Sequence, residues 1–330
     1  MNKEKFVKAG RIVSESLNEL IEFIEPSQKL NDLCKKGDEI LNNKLNSISE
    51  KGLICFPTCV CKNEYAGYLR YSNDEVKEGD LIKIEMGCCV DNCPSLINYS
   101  YIVNKCIDSK MKPLMEALSK ASKKSLELIK PSKKNTNFVK EINNIGKSKD
   151  VNLLNGEFND TKYHVPSQIS YEIDEDHAFR CKDDKKLLIL RESSKYDFYM
   201  MSDEFLEDEI YYIDIGFSTG TGKLNESEYT PTIYLRNIDL KKGLKTNSSK
   251  KILLKFDNET SFPKDLGDKV DVRTKLGIKE CFEKDLLEEF KIMKEKKGEY
   301  IGRIGFTIML NENKNILLSA KSLDPELEKL

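Results

Sequence analysis

The chain has 330 residues, of which 39% are hydrophobic and 33% charged, and its formal net charge is −2. This length and composition predict a soluble folded chain, of one large domain or two ordinary ones, with a substantial core. No apolar run of about 18 residues occurs, so we expect no insertion into a membrane. The near-neutral charge argues against electrostatic binding of nucleic acid by the whole protein surface but allows a local basic face.

The N-terminal region predicts two helices. Apolar residues recur three or four positions apart over 4–25, and Pro26 follows, which is typical of an amphipathic helix. A second helix is expected from Ser27, acting as N-cap, to about Leu45. The opening residues lack the apolar stretch of a secretory signal, which favours a cytoplasmic protein.

Further elements follow in chain order. The segment LICFPTCVC at 53–61 is short, apolar and rich in β-formers, which predicts a strand. The pattern next predicts strands at 81–91 and 97–104, joined through the turn-forming DNCPS, and helices at 111–129 and 135–146.

The C-terminal half begins with a polar, acidic stretch at 150–208, where we expect loops with short strands. EIYYIDIGFSTG at 209–220 then predicts a strand that runs into a glycine-rich turn. The remaining expectations are a partner strand for it at 230–236, helices at 247–256 and 274–291, and a β-hairpin over 300–319.

One short sequence pattern, called the echo below, occurs in both halves of the chain. GDLIKIEMG (79–87) and EDEIYYIDIG (207–216) both alternate apolar residues and carry one carboxylate two positions before glycine. Glu85 and Asp214 occupy equivalent positions in the two segments. The echo predicts two similar α+β halves whose carboxylates face a shared interior.

The cysteines form two clusters that allow two interpretations. Thiolates from both clusters could bind zinc, but the spacings are not paired C-x-x-C knuckles and no histidine lies nearby. The alternative, which we favour, is buried thiols on neighbouring strands. The clusters are Cys55, Cys59 and Cys61, then Cys88, Cys89 and Cys93.

Lysine is concentrated at 123–140 and 240–255. Such runs are often solvated helix faces, but they can also contact the phosphates of RNA without reading its bases. The candidates for RNA contact are Lys241, Lys242, Lys245, Lys250 and Lys251, with Lys123, Lys124, Lys133 and Lys134 as weaker ones.

A set of short segments, in order along nearly the whole chain, resembles the proliferation-associated, ErbB-receptor-binding protein family. These proteins are regarded as catalytically inactive relatives of type 2 methionine aminopeptidase. The resemblance implies the α+β pita-bread fold of creatinases and methionine aminopeptidases, in which halves related by a pseudo-twofold axis surround a curved, mainly antiparallel sheet. It implies one domain over 1–330, with a variable segment at about 150–205. The segments are LCKKGDEIL (33–41), CFPTCVCKNE (55–64), GDLIKIEMGCCVD (79–91), STGTGK (218–223), TIYLRN (232–237), GIKECF (277–282) and KKGEYIGRIGFTIML (296–310).

The resemblance also locates a metal site. Active peptidases of this type hold two divalent ions with two Asp, one His and two Glu, and a metal-bound water attacks the substrate. Four of these positions fall on Glu85, Leu96, Asp214 and Gly305, and a substrate-contacting histidine falls on Tyr68. The histidine ligand falls near Asp160 or His164. We therefore expect no catalytic residues, no metal pair and no other cofactor. Glu85 and Asp214 would bind hydroxyls, backbone or water, or else one weak Mg²⁺ or Na⁺.

These observations lead to a hypothesis of function. The resemblance implies a non-enzymatic, RNA-binding protein that associates with the ribosome, on large-subunit rRNA, in ribosome biogenesis or translation regulation. It would act in the cytoplasm, nucleus or nucleolus, and its pocket could still hold a peptide end without cleaving it. The alternatives are a divergent metallo-aminopeptidase that removes N-terminal methionine, with a site rebuilt around a cysteine from 88–93, and an adaptor for protein partners in the nucleus or in signalling.

Overall fold

The computed structural model describes residues 2–154, 163–164, 169–173, 175, 187–189, 202–256, 262–311 and 315–321. Its N-terminal half contains α1 (Lys3–Phe23), α2 (Leu30–Asn46), β1 (Gly52–Lys62), β2 (Leu81–Val90), β3 (Cys93–Ile102), α3 (Met111–Leu128), α4 (Asn135–Ser148) and β4 (Asn152–Leu153). The next elements are β5 (Tyr163–His164), β6 (Ile169–Ile173), β7 (Leu187–Ile189), β8 (Ile210–Ser218), β9 (Asn225–Glu226) and β10 (Ile233–Arg236). The chain continues through α5 (Asn247–Leu253), β11 (Lys264–Asp265), α6 (Val272–Glu283), β12 (Leu287–Phe290), β13 (Met293–Lys294), β14 (Ile301–Met309) and β15 (Ile316–Ser319).

The expected N-terminal elements are present, with two boundaries that differ. Helix α2 begins at Leu30 with Lys29 before it, so the predicted N-cap Ser27 is wrong. Ser27 has φ +73°, whereas an N-cap is normally extended, and it belongs to the turn before the helix. Strand β3 begins at Cys93, four residues early, because Asp91 and Asn92 both have positive φ and form a two-residue turn.

The central sheet joins both halves of the chain. In the described residues its order is β1-β2-β3-β14-β8-β6-β7, with β15 on β14 and β4 on β8. All its pairings are antiparallel. Helix α1 packs against α2, β2 and β3 on one half, while α3 packs against α4, β8 and β14 on the other. Each half therefore presents one helix pair to one side of the shared sheet.

The second half departs from expectation in two places. Strand β10 pairs with β11 and β12 in a separate sheet, so residues 230–236 are not the partner of β8, which pairs with β14. The predicted helix 274–291 is present but shorter, because α6 ends at Glu283 and residues 287–290 form β12. Asp285, with φ +61°, breaks the helix. The expected hairpin is present as β14 and β15, but residues 312–314 of its turn lie outside the described residues.

We call the residues between β10 and β12 the insertion, and its described parts, 237–256 and 262–286, share a small core. There Ile252 of α5, Cys281 of α6 and Leu266 belong to one buried cluster, separate from the cluster between the central sheet and α1–α4. Gly277 lets the two helices approach closely, since a Cβ there would lie 2.8 Å from Ile252 and 2.9 Å from backbone atoms at 248–249. None of the described helices is long and apolar enough to cross a membrane.

Candidate functional site

Glu85 and Asp214 lie at the two ends of one row that crosses the central sheet. The register pairs Glu85 with Asn98, Asn98 with Gly305, and Gly305 with Asp214, on the adjacent strands β2, β3, β14 and β8. Both carboxylates are nearly inaccessible, with 2% and 3% exposure. The row confirms that the two halves bring equivalent carboxylates to one interior.

Arg303 connects the two ends of this row. It lies two residues before Gly305 on β14, and its side chain is fully buried. The guanidinium donates to both oxygens of Glu85, at 3.0 and 3.3 Å, and to both oxygens of Asp214, at 2.5 and 3.3 Å. Its Nη1 also donates to the Ala66 carbonyl at 3.0 Å. A fixed cation therefore lies between the two carboxylates and bridges them through the planar fork that arginine provides.

The electrostatics of this triad follow from burial. Burial raises the pKa of Glu85 to about 7, with Asp214 adding to the rise and Arg303 opposing it. Burial alone would lower the pKa of Arg303, but Asp214 and Glu85 raise it well above its ordinary value. Nearby, burial also raises the pKa of Tyr212, with the two carboxylates adding to it. The arginine therefore stays charged, while burial disfavours the charged form of Glu85.

The two other positions of the implied metal site contribute no polar group. Leu96 is fully buried in an apolar cluster that includes Phe56, Tyr68 and Tyr212. A Cβ at Gly305 would lie 2.7 Å from the Tyr212 hydroxyl and 2.9 Å from Cβ of Asn98. The space that a side chain at 305 would need is thus already occupied by neighbours.

Aromatic rings fill the region around the substrate-histidine position. Tyr68 has φ +62° and is 4% exposed, and its ring lies 5.6 Å from the Arg303 guanidinium, a cation–π contact. Phe290 packs edge-on against Tyr68 at 5.0 Å and against Phe56 at 5.5 Å. His164 stacks on Phe290 at 4.3 Å and bonds Glu288 at 2.9 Å. These rings seal one side of the triad.

The remaining candidate ligands do not assemble into a metal site where the structure describes them. His164 contacts Glu288 rather than the triad, and Asp160 lies outside the described residues. Within the described ranges, no group of three His, Cys, Asp or Glu side chains could hold a metal ion. All six cysteines of the two clusters are buried, and burial raises the pKa of Cys55 and Cys89, among others. Burial thus favours the protonated thiol of Cys55 and Cys89, and the burial of all six side chains agrees with the interpretation favoured from the sequence.

Arg303 is the functional residue that the sequence analysis missed. A carboxylate alone in an apolar strand led to Glu85, and the same signal is present in YIGRIGFTIML, where one arginine interrupts a buried strand. Because side chains alternate along a strand, Arg303 and Gly305 share a face. The signal was therefore available, but only the fold shows that the two carboxylates flank it.

The lysine candidates lie on the surface of the insertion. Lys241, Lys242 and Lys245 are exposed in the loop before α5, and Lys250 and Lys251 are exposed on that helix. Lys242 pairs with Asp285 at 2.7 Å. The weaker candidates lie elsewhere: Lys123 and Lys124 are on α3, with Lys124 paired to Glu127, and Lys133 and Lys134 are exposed just before α4.

Comparison with known proteins agrees with this architecture. The family model of metallopeptidase family M24 matches residues 4–173. An ERBB-3 binding protein 1 from Solanum tuberosum is 28% identical over 94% of this chain and 79% of its own length. A curved DNA-binding protein from Schizosaccharomyces pombe is 27% identical over 96% and 82%.

Solved structures extend the likeness to the whole fold. The structure of a thermophilic Arx1 matches 99% of this chain and 96% of its own, with a TM-score of 0.79 at 18% identity. Methionine aminopeptidases share the fold as well. The expected pita-bread fold is thereby confirmed, as is the resemblance to the proliferation-associated and ErbB-receptor-binding proteins. The chain belongs to metallopeptidase family M24.

Proposed function

We propose that this chain is a non-enzymatic member of the M24 family that binds RNA and associates with the ribosome through the lysine surface, defined as Lys241, Lys242, Lys245, Lys250 and Lys251. The observation that carries the non-enzymatic part is the buried Arg303 guanidinium between Glu85 and Asp214. M24 proteins include enzymes, so the non-enzymatic part of the proposal depends on this residue together with Leu96 and Gly305.

The side chains at the centre do not fit a pair of divalent ions. Such a pair needs several carboxylates that bridge and flank the ions. Here Leu96 is aliphatic, Gly305 has no side chain, and a monovalent cation already takes both oxygens of the two remaining carboxylates. A divalent ion placed there would meet the guanidinium at close range and be repelled. The rings of Phe56 and Phe290 pack against Tyr68, at 5.9 and 5.0 Å, where the resemblance places a substrate-contacting histidine.

The lysine surface has the features of a phosphate-binding face. The segment 240–255 contains six lysines and no acidic residue. Lys241, Lys245, Lys250 and Lys251 are exposed and carry no ion pair with any described residue. Phosphate contacts of this kind provide affinity without reading bases. The name of the Schizosaccharomyces pombe relative, a DNA-binding protein, also supports contact with nucleic acid.

The backbone beneath these lysines is held in place. Glu280 of α6 accepts hydrogen bonds from the backbone N–H groups of Lys245 and Thr246, at 2.6 and 3.1 Å, and from the Ser249 hydroxyl at 2.7 Å. Lys284 donates to the Gly243 carbonyl. The lysines thus project from an ordered loop and helix, so less conformational entropy is lost when they bind phosphates.

Charge reversal tests the proposal. Changing Lys241, Lys242, Lys250 and Lys251 together to Glu should reduce co-sedimentation with ribosomes and flatten the dependence of RNA affinity on salt. The matched control reverses Lys123, Lys124, Lys133 and Lys134 and should have the smaller effect. Equal co-sedimentation of the first variant and the unmodified protein would contradict the proposed surface.

Two further measurements distinguish the alternatives. Purified protein with two equivalents of Zn, Mn or Co, and turnover of a peptide with N-terminal methionine, would support the aminopeptidase. The relatives named for binding ERBB-3 favour a protein adaptor. Partners recovered in a pull-down that survive RNase treatment would support that role over RNA binding. We place the protein in the cytoplasm, nucleus or nucleolus, which cell fractionation can test.

A further inference from the structure

A cleft of about 600 Å³ lies between the insertion and the body of the protein. The insertion contributes the α6 residues Lys275, Ile278, Lys279 and Phe282, and the body contributes Tyr71 and Tyr229, among others. Glu85, Asp214 and Arg303 are not among the lining residues. The volume is that of a small-molecule site, and the cleft is separate from the sealed triad.

Tyrosine rings form fixed walls of this cleft. The Tyr71 hydroxyl donates to Asp265 at 2.5 Å, the Tyr229 hydroxyl lies 3.0 Å from that of Ser72, and the Tyr234 hydroxyl donates to Glu289 at 3.3 Å. Each hydroxyl is bound to the protein, and the Tyr229 ring also packs edge-on against Tyr65 at 5.7 Å, so the rings have little freedom to rotate away. Aromatic surface held in this way favours a planar ligand that can stack.

The charges along the cleft are of two kinds. The carboxylates of Glu228 and Glu289 are paired with Lys294 and Lys291. By contrast, Lys275 and Asp268 form no ion pair within the described part of the chain, and Lys279 has only a long, exposed contact of 3.7 Å with Glu283. The cleft thus offers two cations one turn apart on α6 and one available carboxylate beside the aromatic walls.

We propose that this cleft binds one nucleotide of single-stranded RNA. The base stacks against the tyrosine rings, Lys275 and Lys279 contact its phosphate, and Asp268 accepts a hydrogen bond from an exocyclic amino group. The inference rests on the proposed RNA-binding function and adds a site for one base to it. Helix α6 serves both regions: Gly277 and Cys281 face α5, which carries part of the lysine surface, while Ile278 and Phe282 face the cleft.

The test measures the affinity of the full chain for a fluorescent single-stranded RNA of mixed sequence. Tyr229→Ala should weaken binding at least about fivefold, whereas Tyr229→Phe, which keeps the ring, should bind within about twofold of the unmodified protein. Lys275→Glu should weaken binding and reduce the salt dependence by about one phosphate contact. Lys120→Glu, an exposed change on α3, is the charge-matched control and should have little effect.

A second readout uses the four ribonucleoside monophosphates in saturation-transfer NMR, with thermal unfolding as a check on folding. The proposal for the cleft is supported if the unmodified protein and Tyr229→Phe bind a monophosphate and Tyr229→Ala binds it less. This holds even if charge reversal of the lysine surface leaves RNA binding intact. Unchanged RNA affinity in both Tyr229→Ala and Lys275→Glu, while the lysine-surface variant fails to bind, would overturn the cleft and leave the proposed function standing. Equal loss in Tyr229→Phe and Tyr229→Ala would overturn ring stacking. An acidic peptide with an aromatic residue that binds there while no nucleotide does would overturn the inference as well.

Discussion

The centre of the sheet and the insertion at 237–286 place their charges in opposite ways. At the centre, Arg303, Glu85 and Asp214 are buried and bind one another. On the insertion, lysines such as Lys241 and Lys250 are exposed and have no acidic partner among the described residues. Buried charges that pair with one another are not available to a ligand, whereas exposed cations without partners are.

This contrast suggests how a peptidase fold can serve binding. In active peptidases with this fold, as the sequence resemblance implies, metal ions neutralise the carboxylates that converge between the two halves. Here Arg303 lies between Glu85 and Asp214, at the place where β2, β3, β14 and β8 join the two halves. In our proposal, the centre contributes stability and the lysine surface contacts the partners.

The largest expected effect follows from removing the central cation. Arg303→Met leaves two buried carboxylates facing each other, and breaking a buried pair costs about 3–5 kcal/mol of unfolding free energy. Urea denaturation monitored by circular dichroism measures this. The same substitution in a background of Glu85→Gln and Asp214→Asn should cost clearly less, since no charge is then left unpaired. Equal losses in both backgrounds would show that packing, not charge, makes Arg303 important.

The fold was more accessible from the sequence than the site. The alternation in GDLIKIEMG and EDEIYYIDIG predicted both β2 and β8 and the convergence of their carboxylates, because strand periodicity and burial are local signals. The predicted partner of β8 was wrong. The actual partner, β14, is more than 80 residues away, and pairing over such a distance leaves little signal in the local sequence. Arg303 was overlooked for the same reason: its role depends on three strands that meet only in the fold.

A smaller effect tests how full the centre is. Gly305→Ala would place a Cβ 2.7 Å from the Tyr212 hydroxyl and should destabilise the protein by about 1–3 kcal/mol through overpacking. Gly243→Ala is the matched control on the insertion, where a Cβ would have nothing within 4 Å and φ is not positive. Thermal unfolding of the two variants compares a closed region with an open one. A Gly305→Ala variant as stable as Gly243→Ala would mean that the centre has room for a side chain.

The pH dependence of stability provides a third comparison. Burial raises the pKa of Glu85 in the folded protein to about 7, above its ordinary value of 4.5. The stability that protonated Glu85 contributes is therefore fully present below the pKa of the unfolded state and is lost as pH rises through 7. We expect the unfolding free energy to fall by about 1–2 kcal/mol more in the unmodified protein than in Glu85→Gln between about pH 5 and pH 7.5. Lys83 titrates above most of this range, because burial lowers its pKa only to about 8. Parallel pH profiles for the two proteins would show that Glu85 keeps its charge throughout.

The smallest expected effect concerns the order of the lysine surface. Thr246 precedes α5, and its hydroxyl accepts a hydrogen bond from the Ser249 N–H at 3.2 Å. Thr246→Ala should therefore cost about 1 kcal/mol, felt by this short helix rather than by the central sheet.

Hydrogen exchange localises that change, with Thr246→Ser as the control that keeps the capping oxygen. Amides at 247–253 should lose protection in the alanine variant while those of β8 and β14 do not. If RNA affinity then falls in step with the lost protection, the lysines act from a preformed arrangement, as the Glu280 hydrogen bonds beneath them suggest. If affinity stays constant, the lysine surface binds through its charge alone. Binding would then not require an ordered backbone at that surface, although the centre of the same fold is rigidly packed.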